Sequence, residues 1–411
     1  MRNLGCLLGV VFSFLSVAEA GAANFVHLDT IAASDAAAND EFGGFSSDGV
    51  AVSTDGSTLL VASWLDDCAA GSDCGSAYVF KRTPGGWVQQ AKLTAPDASP
   101  GDRFMAVALS GDGSLALVGA YGANCTGGGL DCGAVYSFVR NGTAWSFQQK
   151  LTASDGSVGD TFGIALDISS DGTVALVGAH QDSCGAFFGC GAVYAFERSG
   201  GVWTERQKLR GDPASSTFFG GEVVLSGDGT TALIDGDVFG GLVAARAYVF
   251  TRHNGVWSFQ TKLEPLGSPF VFAFNMEVSA DGNVALVHQE EPHSLYVFTR
   301  TGTVWSLETQ LFDSTGDGEL SGTFALSDDG RTVAALRFCN NTPCQAATLV
   351  FRRDWETWRL EQSLSQIGTV DLSGDAKVLL LGDAQASCAS GSSCGVAHVF
   401  GRSPRWKTST P

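Results

Sequence analysis

Residues 104–151 read FMAVALSGDGSLALVGAYGANCTGGGLDCGAVYSFVRNGTAWSFQQKL, and this stretch decides the fold. An apolar run, Val107 to Leu109, ends in Ser110-Gly111-Asp112-Gly113, a polar turn with glycine where a tight hairpin requires positive φ. A second run, Leu115 to Ala120, leads into a glycine-rich loop holding Cys125 and Cys132. The third, Ala134 to Val139, alternates and is rich in aromatics, the pattern of a half-buried strand. Asn141-Gly142 then turns the chain into a fourth strand, Trp145 to Leu151. The unit is four short strands joined by turns.

Variants of this unit fill the chain. The Ser-x-Asp turn recurs seven times, with its carboxylates at Asp55, Asp112, Asp171, Asp228, Asp281, Asp329 and Asp375. Each is expected to form its turn by bonding its own backbone. Phe-x-Arg closes the third strand seven times, at Arg82, Arg140, Arg198, Arg252, Arg300, Arg353 and Arg402, and Trp-x5-Leu marks the fourth strand six times. The seventh Trp, Trp406, has five residues after it, too few for that strand. The missing strand stands at the other end, where Phe25 to Ile31 repeats the spacing of an aromatic with an aliphatic six residues later. A surplus first strand and a deficient last repeat are what a ring needs to close on itself. The expected fold is all-β, a seven-bladed β-propeller of four-stranded antiparallel blades. Its blades cover residues 42–93, 104–151, 162–209, 219–263, 272–311, 322–364 and 367–406, the last completed by 25–31, with 407–411 as a short polar tail.

Composition agrees with an exported protein. Residues 1–20 have the features of a secretory signal peptide: Arg2, the apolar segment Leu4 to Val17, and Ala18-Glu19-Ala20 before Gly21. The apolar segment is shorter than the ~20 residues a membrane span requires, so no membrane insertion is expected. Cys6 lies in this leader, and the other ten cysteines fall as close pairs: Cys68/Cys74, Cys125/Cys132, Cys184/Cys190, Cys339/Cys344 and Cys388/Cys394. Local pairing in an exported chain points to five small disulfide loops, and no pair has the CxxC spacing of a zinc site. The formal net charge of −19 sets the chain against nucleic acid and anionic membranes, which would repel it. A secreted or periplasmic monomer is expected.

The run FGIALDISSDGTVALVGA from Phe162, followed by GAVYAFERSGGVW to Trp203, resembles the FG-GAP repeat. That repeat builds the propellers of integrin α-subunits and many bacterial exported proteins. The resemblance implies that Phe-Gly begins the innermost strand and that the Trp strand lies outermost. It also implies a calcium loop between the first two strands, but here that turn supplies one carboxylate, and calcium takes six to eight oxygens. No cofactor is expected.

Other acids lie in the links between blades: Asp35/Asp40, Asp97/Asp102 and Asp155/Asp160, which should share one face and either hold a cation or satisfy their own loops. Asp313 and Asp317 resemble half a calcium loop, with Phe324 where a bidentate Glu would stand. Gly391 to Gly395 matches GxSxG, but in a loop with Cys394 committed to a bridge rather than at a strand-to-helix elbow. The six histidines, 27, 180, 253, 288, 293 and 398, are scattered, and Asn124, Asn141 and Asn340 stand in glycosylation sequons. Blade 4 lacks a cysteine pair and carries Asp235, Asp237 and Arg246, an asymmetry suited to a specific site. No catalytic constellation emerges. The function expected is an interaction module binding protein or glycan partners by loops on one face. The alternatives are a polysaccharide hydrolase or lyase acting from the central pocket, or a purely structural surface protein.

Closure by the first strand is directly testable. Burial of Phe25 and Ile31 should contribute about 1.5–3 kcal/mol each against a total of about 5–15. A chain starting at Ala32 should melt earlier or aggregate, whereas one starting at Gly21 should fold; equal melting of the two would refute the closure.

Overall fold

A computed structural model describes residues 24–44, 47–125, 128–185, 189–211, 218–236, 246–264, 272–289, 293–313, 319–339, 345–355 and 357–403. Seven four-stranded antiparallel sheets surround one axis as the blades of a propeller. In blade 1 the strands Val50–Val52, Thr58–Ser63, Ser76–Thr83 and Gly86–Leu93 run in order from axis to rim. The short first strands of adjacent blades touch all the way round. Second strands such as Thr58–Ser63, Leu115–Ala120 and Val174–Ala179 are buried along their whole length, which is why they read as unbroken apolar runs. Among the described residues no helix is long and apolar enough to cross a membrane.

The first strand closes the ring. Phe25–Ile31 pairs antiparallel with Val396–Arg402, from Phe25 opposite Arg402 to Ile31 opposite Ala397. Phe25 and Ile31 are buried, and the amide of Phe25 donates to Gln362 Oε1 of blade 6 at 2.7 Å. Nε2 of that Gln362 returns the bond to the Phe25 carbonyl at 2.8 Å. Trp406 lies outside the described residues.

A belt of backbone hydrogen bonds links the first hairpin turns of all seven blades. Thr54 N–H donates to Gly111 O, Gly111 to Ser170, Ser170 to Gly227, Asp228 to Ala280, Ala280 to Asp328, Asp328 to Gly374, and Asp375 back to Thr54, at 2.9–3.2 Å. The Ser-x-Asp turns hold these amides in place. In each of the seven, the Ser hydroxyl donates to the Asp, as from Ser110 to Asp112 at 2.7 Å, and the Asp accepts the amide two residues on.

Phe-Gly marks a steric contact between blades. Phe42, Phe162 and Phe219 are fully buried and meet the Tyr and Phe of their own third strands edge to face, as in Phe162 with Tyr194 at 5.5 Å. The next residue, Gly43, Gly163 or Gly220, brings its carbonyl against a glycine in the second strand of the preceding blade: Gly382, Gly119 and Gly178 respectively. A Cβ at Gly178 would lie 2.0 Å from Gly220 O, and one at Gly119 would lie 2.1 Å from Gly163 O. The other four interfaces lack both partners. Ala62, Asp235, His288 and Leu336 occupy the second-strand position there, and the following blades have no Phe-Gly. Gly178→Ala should therefore cost about 3 kcal/mol through forced backbone displacement. Ala62→Gly, at the equivalent place without the contact, should cost only about 0.5–1. Chemical denaturation of the two variants checks the difference.

Candidate functional site: a stapled face and an acidic channel

Links between blades and loops between second and third strands emerge on one face, here the upper one; the Ser-x-Asp turns and their belt lie on the lower. Four disulfides staple upper loops: Cys68–Cys74, Cys125–Cys132, Cys184–Cys190 and Cys388–Cys394, with Cα separations of 5.2–5.8 Å. They belong to blades 1, 2, 3 and 7, a continuous arc. Of the pair Cys339 and Cys344, the second residue lies outside the described residues.

The link aspartates do not gather into one cluster. Asp35 accepts from Tyr78 Oη at 2.8 Å and Lys92 Nζ at 2.7 Å, both from the blade that follows the link. Asp97 does the same with Tyr136 and Lys150, and Asp155 with Tyr194 and Lys208. Burial would raise these carboxyls, but the Lys and Tyr hydrogen bonds outweigh it and hold all three below the usual range. Their partners Asp40, Asp102 and Asp160 are buried and accept the amides of Ala37, Ser99 and Ser157 within their own loops. Of the two readings of these six acids, the structure has them satisfying their own links and the blade that follows, in three separate sets. Among the described residues no three His, Cys, Asp or Glu side chains come together to hold a metal ion. Asp313 is buried beside Arg337, 3.4 Å away, while Asp317 lies outside the described residues.

Several Phe-x-Arg guanidinium groups are inter-blade clamps, while that of Arg300 bonds Asn283 of its own blade. Arg252 pairs with Glu197, Arg353 with Glu308 at 2.6 Å, and Arg402 with Glu361 at 3.0 Å, each acid in the preceding blade. The fourth-strand Trp residues reach the same way, as Trp203 Nε1 does to Ser137 Oγ at 3.1 Å. In blade 4, Asp235 is buried and accepts the amides of Gly220 and Glu222, while Asp237 and the side chain of Arg246 lie outside what is described. His288 is buried against Leu320 O, and burial pushes its imidazole down to about 4. The asparagines of the sequons at 124 and 141 lie in exposed positions, and Asn340 lies outside the described residues.

Where the repeat is most regular in backbone, the upper rim is least regular in side chain. The residue after the second strand is Trp64 in blade 1, Tyr121 in blade 2 and His180 in blade 3. Beside them stand Glu41, Arg103, Thr161 and Phe218, all in left-handed backbone with φ of 45–58°. That conformation is costly without glycine and concentrates at functional positions. Glu41 accepts from Trp64 Nε1 at 2.8 Å, Arg103 lies over the Trp64 ring, and its Nη1 donates to Tyr121 Oη at 2.9 Å. Thr161 Oγ1 lies 3.0 Å from His180 Nδ1, and the His180 ring lies 6.1 Å from that of Phe218. Farther out on the same face, Leu130 and Val158 are each 63% exposed.

The axis itself is acidic, a feature the sequence reading missed. Ala51, Ala108, Asp167, Val224, Glu277, Ala325 and Asp371 occupy one register of the seven first strands. Together with Asp48 and Glu222 the three acids of that ring line a cavity of about 180 Å³. Asp167 accepts amides from Ile168 and from Leu225 of blade 4, and Asp371 from Leu372 and from Val52 of blade 1, at 2.6–2.7 Å. Burial raises both carboxyls to about 7 despite those bonds. Glu222 and Glu277 are raised well above the usual range by burial and by the neighbouring acids. The signal was present as a charged residue inside an apolar strand, in Leu166-Asp167-Ile168 and Val370-Asp371-Leu372.

These features define a disulfide-stapled, seven-bladed propeller with a decorated upper face. Three segments, residues 26–80, 87–138 and 145–196, match the FG-GAP repeat, and the chain folds as a seven-bladed propeller. No curated protein sequence matches it significantly. A periplasmic gluconolactonase of Pseudomonas aeruginosa is similar in structure, with 18% identity, a TM-score of 0.52, and coverage of 79% of this chain and 88% of that one. A Lactobacillus plantarum protein aligns over 83% of this chain and 99% of its own at 11% identity and a TM-score of 0.55. Kuenenia stuttgartiensis hydrazine synthase aligns over 81% and 92% at 14% identity and a TM-score of 0.52. At such identities the likeness shows the fold alone.

The two sets of acids oppose each other in pH dependence. Asp35, Asp97 and Asp155 have depressed values, so their contribution is present above the unfolded value of about 3.9 and is lost on further acidification. The channel acids are raised; folding takes up protons, and their contribution is present in full below about pH 4 and is lost as pH rises through about 7. The melting temperature should therefore peak in the mildly acidic range and fall toward alkaline pH. Glu277→Gln should raise it on the alkaline side and leave the acidic side unchanged, as read by calorimetry across pH.

Proposed function

We propose that this chain is an exported binding module whose upper face takes a protein or glycan partner. The observation that carries this reading is the rim of Trp64, Arg103, Tyr121 and His180. Positions that the repeat makes equivalent hold different aromatic, cationic and hydrogen-bonding groups, mounted on the arc of stapled loops. Aromatic and arginine side chains dominate binding energy at interfaces, and stapling the loops lowers the entropy lost when a partner docks. The paired cysteines and the leader-like first residues support export.

An enzyme acting from the channel has less support. Among the described residues, those lining the cavity include no histidine, lysine or arginine to pair with the carboxyls. The lactonase activity named for one structural neighbour belongs to that protein.

A glycan array and a pull-down with the mature chain, with and without calcium, identify the partner. Arg103→Ala, and Trp64→Ala with Tyr121→Ala, should weaken the interaction about tenfold or more at unchanged melting temperature. Trp355→Ala, on an exposed turn of the lower face, should bind as the parent does. Binding that survives the upper-face changes and fails with Trp355→Ala would reverse the assignment.

A further inference from the structure

We propose that the axial channel binds a primary alkylammonium chain, anchored by the carboxyls of Glu222 and Glu277. Glu222 is only 8% exposed, yet neither its carboxyl nor that of Glu277 has a hydrogen-bond or ion-pair partner among the described residues. Buried carboxyls are otherwise paired or hydrogen-bonded, and nothing cationic lines this cavity among the described residues. The site is therefore built on one side only, and a cation completes it.

The arrangement selects the kind of cation. Glu222 comes two residues before Val224, which shares the register of Glu277, so the two carboxyls belong to successive layers along the axis. Below, the channel continues for about 140 Å³ past Asp328. Between the acids the wall is mostly polar, with Asn275 beside Val107, Leu166, Met276 and Phe324. Staggered carboxyls along a narrow channel match ammonium groups spaced by a short methylene chain, as in a linear polyamine or a lysine side chain. They do not match a metal ion, since no three ligating side chains converge among the described residues. The chain's net charge of −19 concentrates cations at its surface and toward this mouth.

Occupation also relieves an electrostatic conflict. Asp48 and Asp167 crowd both Glu222 and Glu277, Asp235 crowds Glu222 and Asp371 crowds Glu277, and burial and these neighbours hold both protons above the usual range. A bound ammonium group replaces those protons, so binding at neutral pH releases protons to the buffer.

Calorimetric titration of the mature chain with spermidine tests this. Saturable binding is expected, with proton release seen as a dependence of the heat on buffer ionisation enthalpy. Affinity should fall at least about tenfold in Glu222→Gln/Glu277→Gln and be unchanged in Arg103→Ala, which separates this site from the upper face. The double variant should melt no earlier than the parent, because it removes repulsion; Glu277→Gln alone serves if it does not fold. A lysine-rich peptide that binds with the same dependence while spermidine does not would support the chemistry and assign the ammonium to a partner protein. Binding of neither, equal binding by the double variant, or binding of calcium alone would overturn the proposal.

Discussion

The belt of seven backbone hydrogen bonds around the lower mouth is the constraint on which the ring depends. Each bond runs from the turn of one blade to the turn of the next, and the last returns to the first. Each bond contributes about 0.5–1.5 kcal/mol net. Any blade that shifted would break two bonds at once, so the seven turns hold one another in register. The Ser-x-Asp motif matters because it presents those amides at a fixed angle. Its aspartates are spent on their own turns, which leaves no carboxylate for a ligand.

Much of this was legible in the sequence because a propeller repeats its contacts. Strand order, the closing pair of Phe25–Ile31 with Val396–Arg402, and the local pairing of four sets of cysteines follow from motif spacing. Repetition also hid something. The pairing of Phe-Gly with a second-strand glycine crosses a blade boundary, so Gly119 is explained only by Gly163. Scanning within one repeat shows two glycines without the reason for either.

The site was harder to read, for a physical reason. Acids in loops attract notice, yet Asp35, Asp97 and Asp155 already have a Tyr and a Lys and are structural. The channel acids sit within or just before the innermost strands, Glu222 ahead of Val223–Leu225 and Glu277 inside Phe272–Val278. Their significance depends on convergence at an axis, and convergence is a property of the ring rather than of any segment. Glu222 comes from blade 4 and Glu277 from blade 5, 55 residues apart in the chain. The rim residues Trp64, Arg103 and Tyr121 share this difficulty, being brought together across two blades.

The matched repeats begin in the outermost strand of one blade and end in the third strand of the next. The sequence repeat is thus out of phase with the blade by one strand. A chain that gained or lost one whole unit would still end with a blade short of its outer strand and begin with the strand that completes it. Ring size can then change by duplication without ever producing an open intermediate, and the clasp between the termini travels unchanged from one ring size to the next.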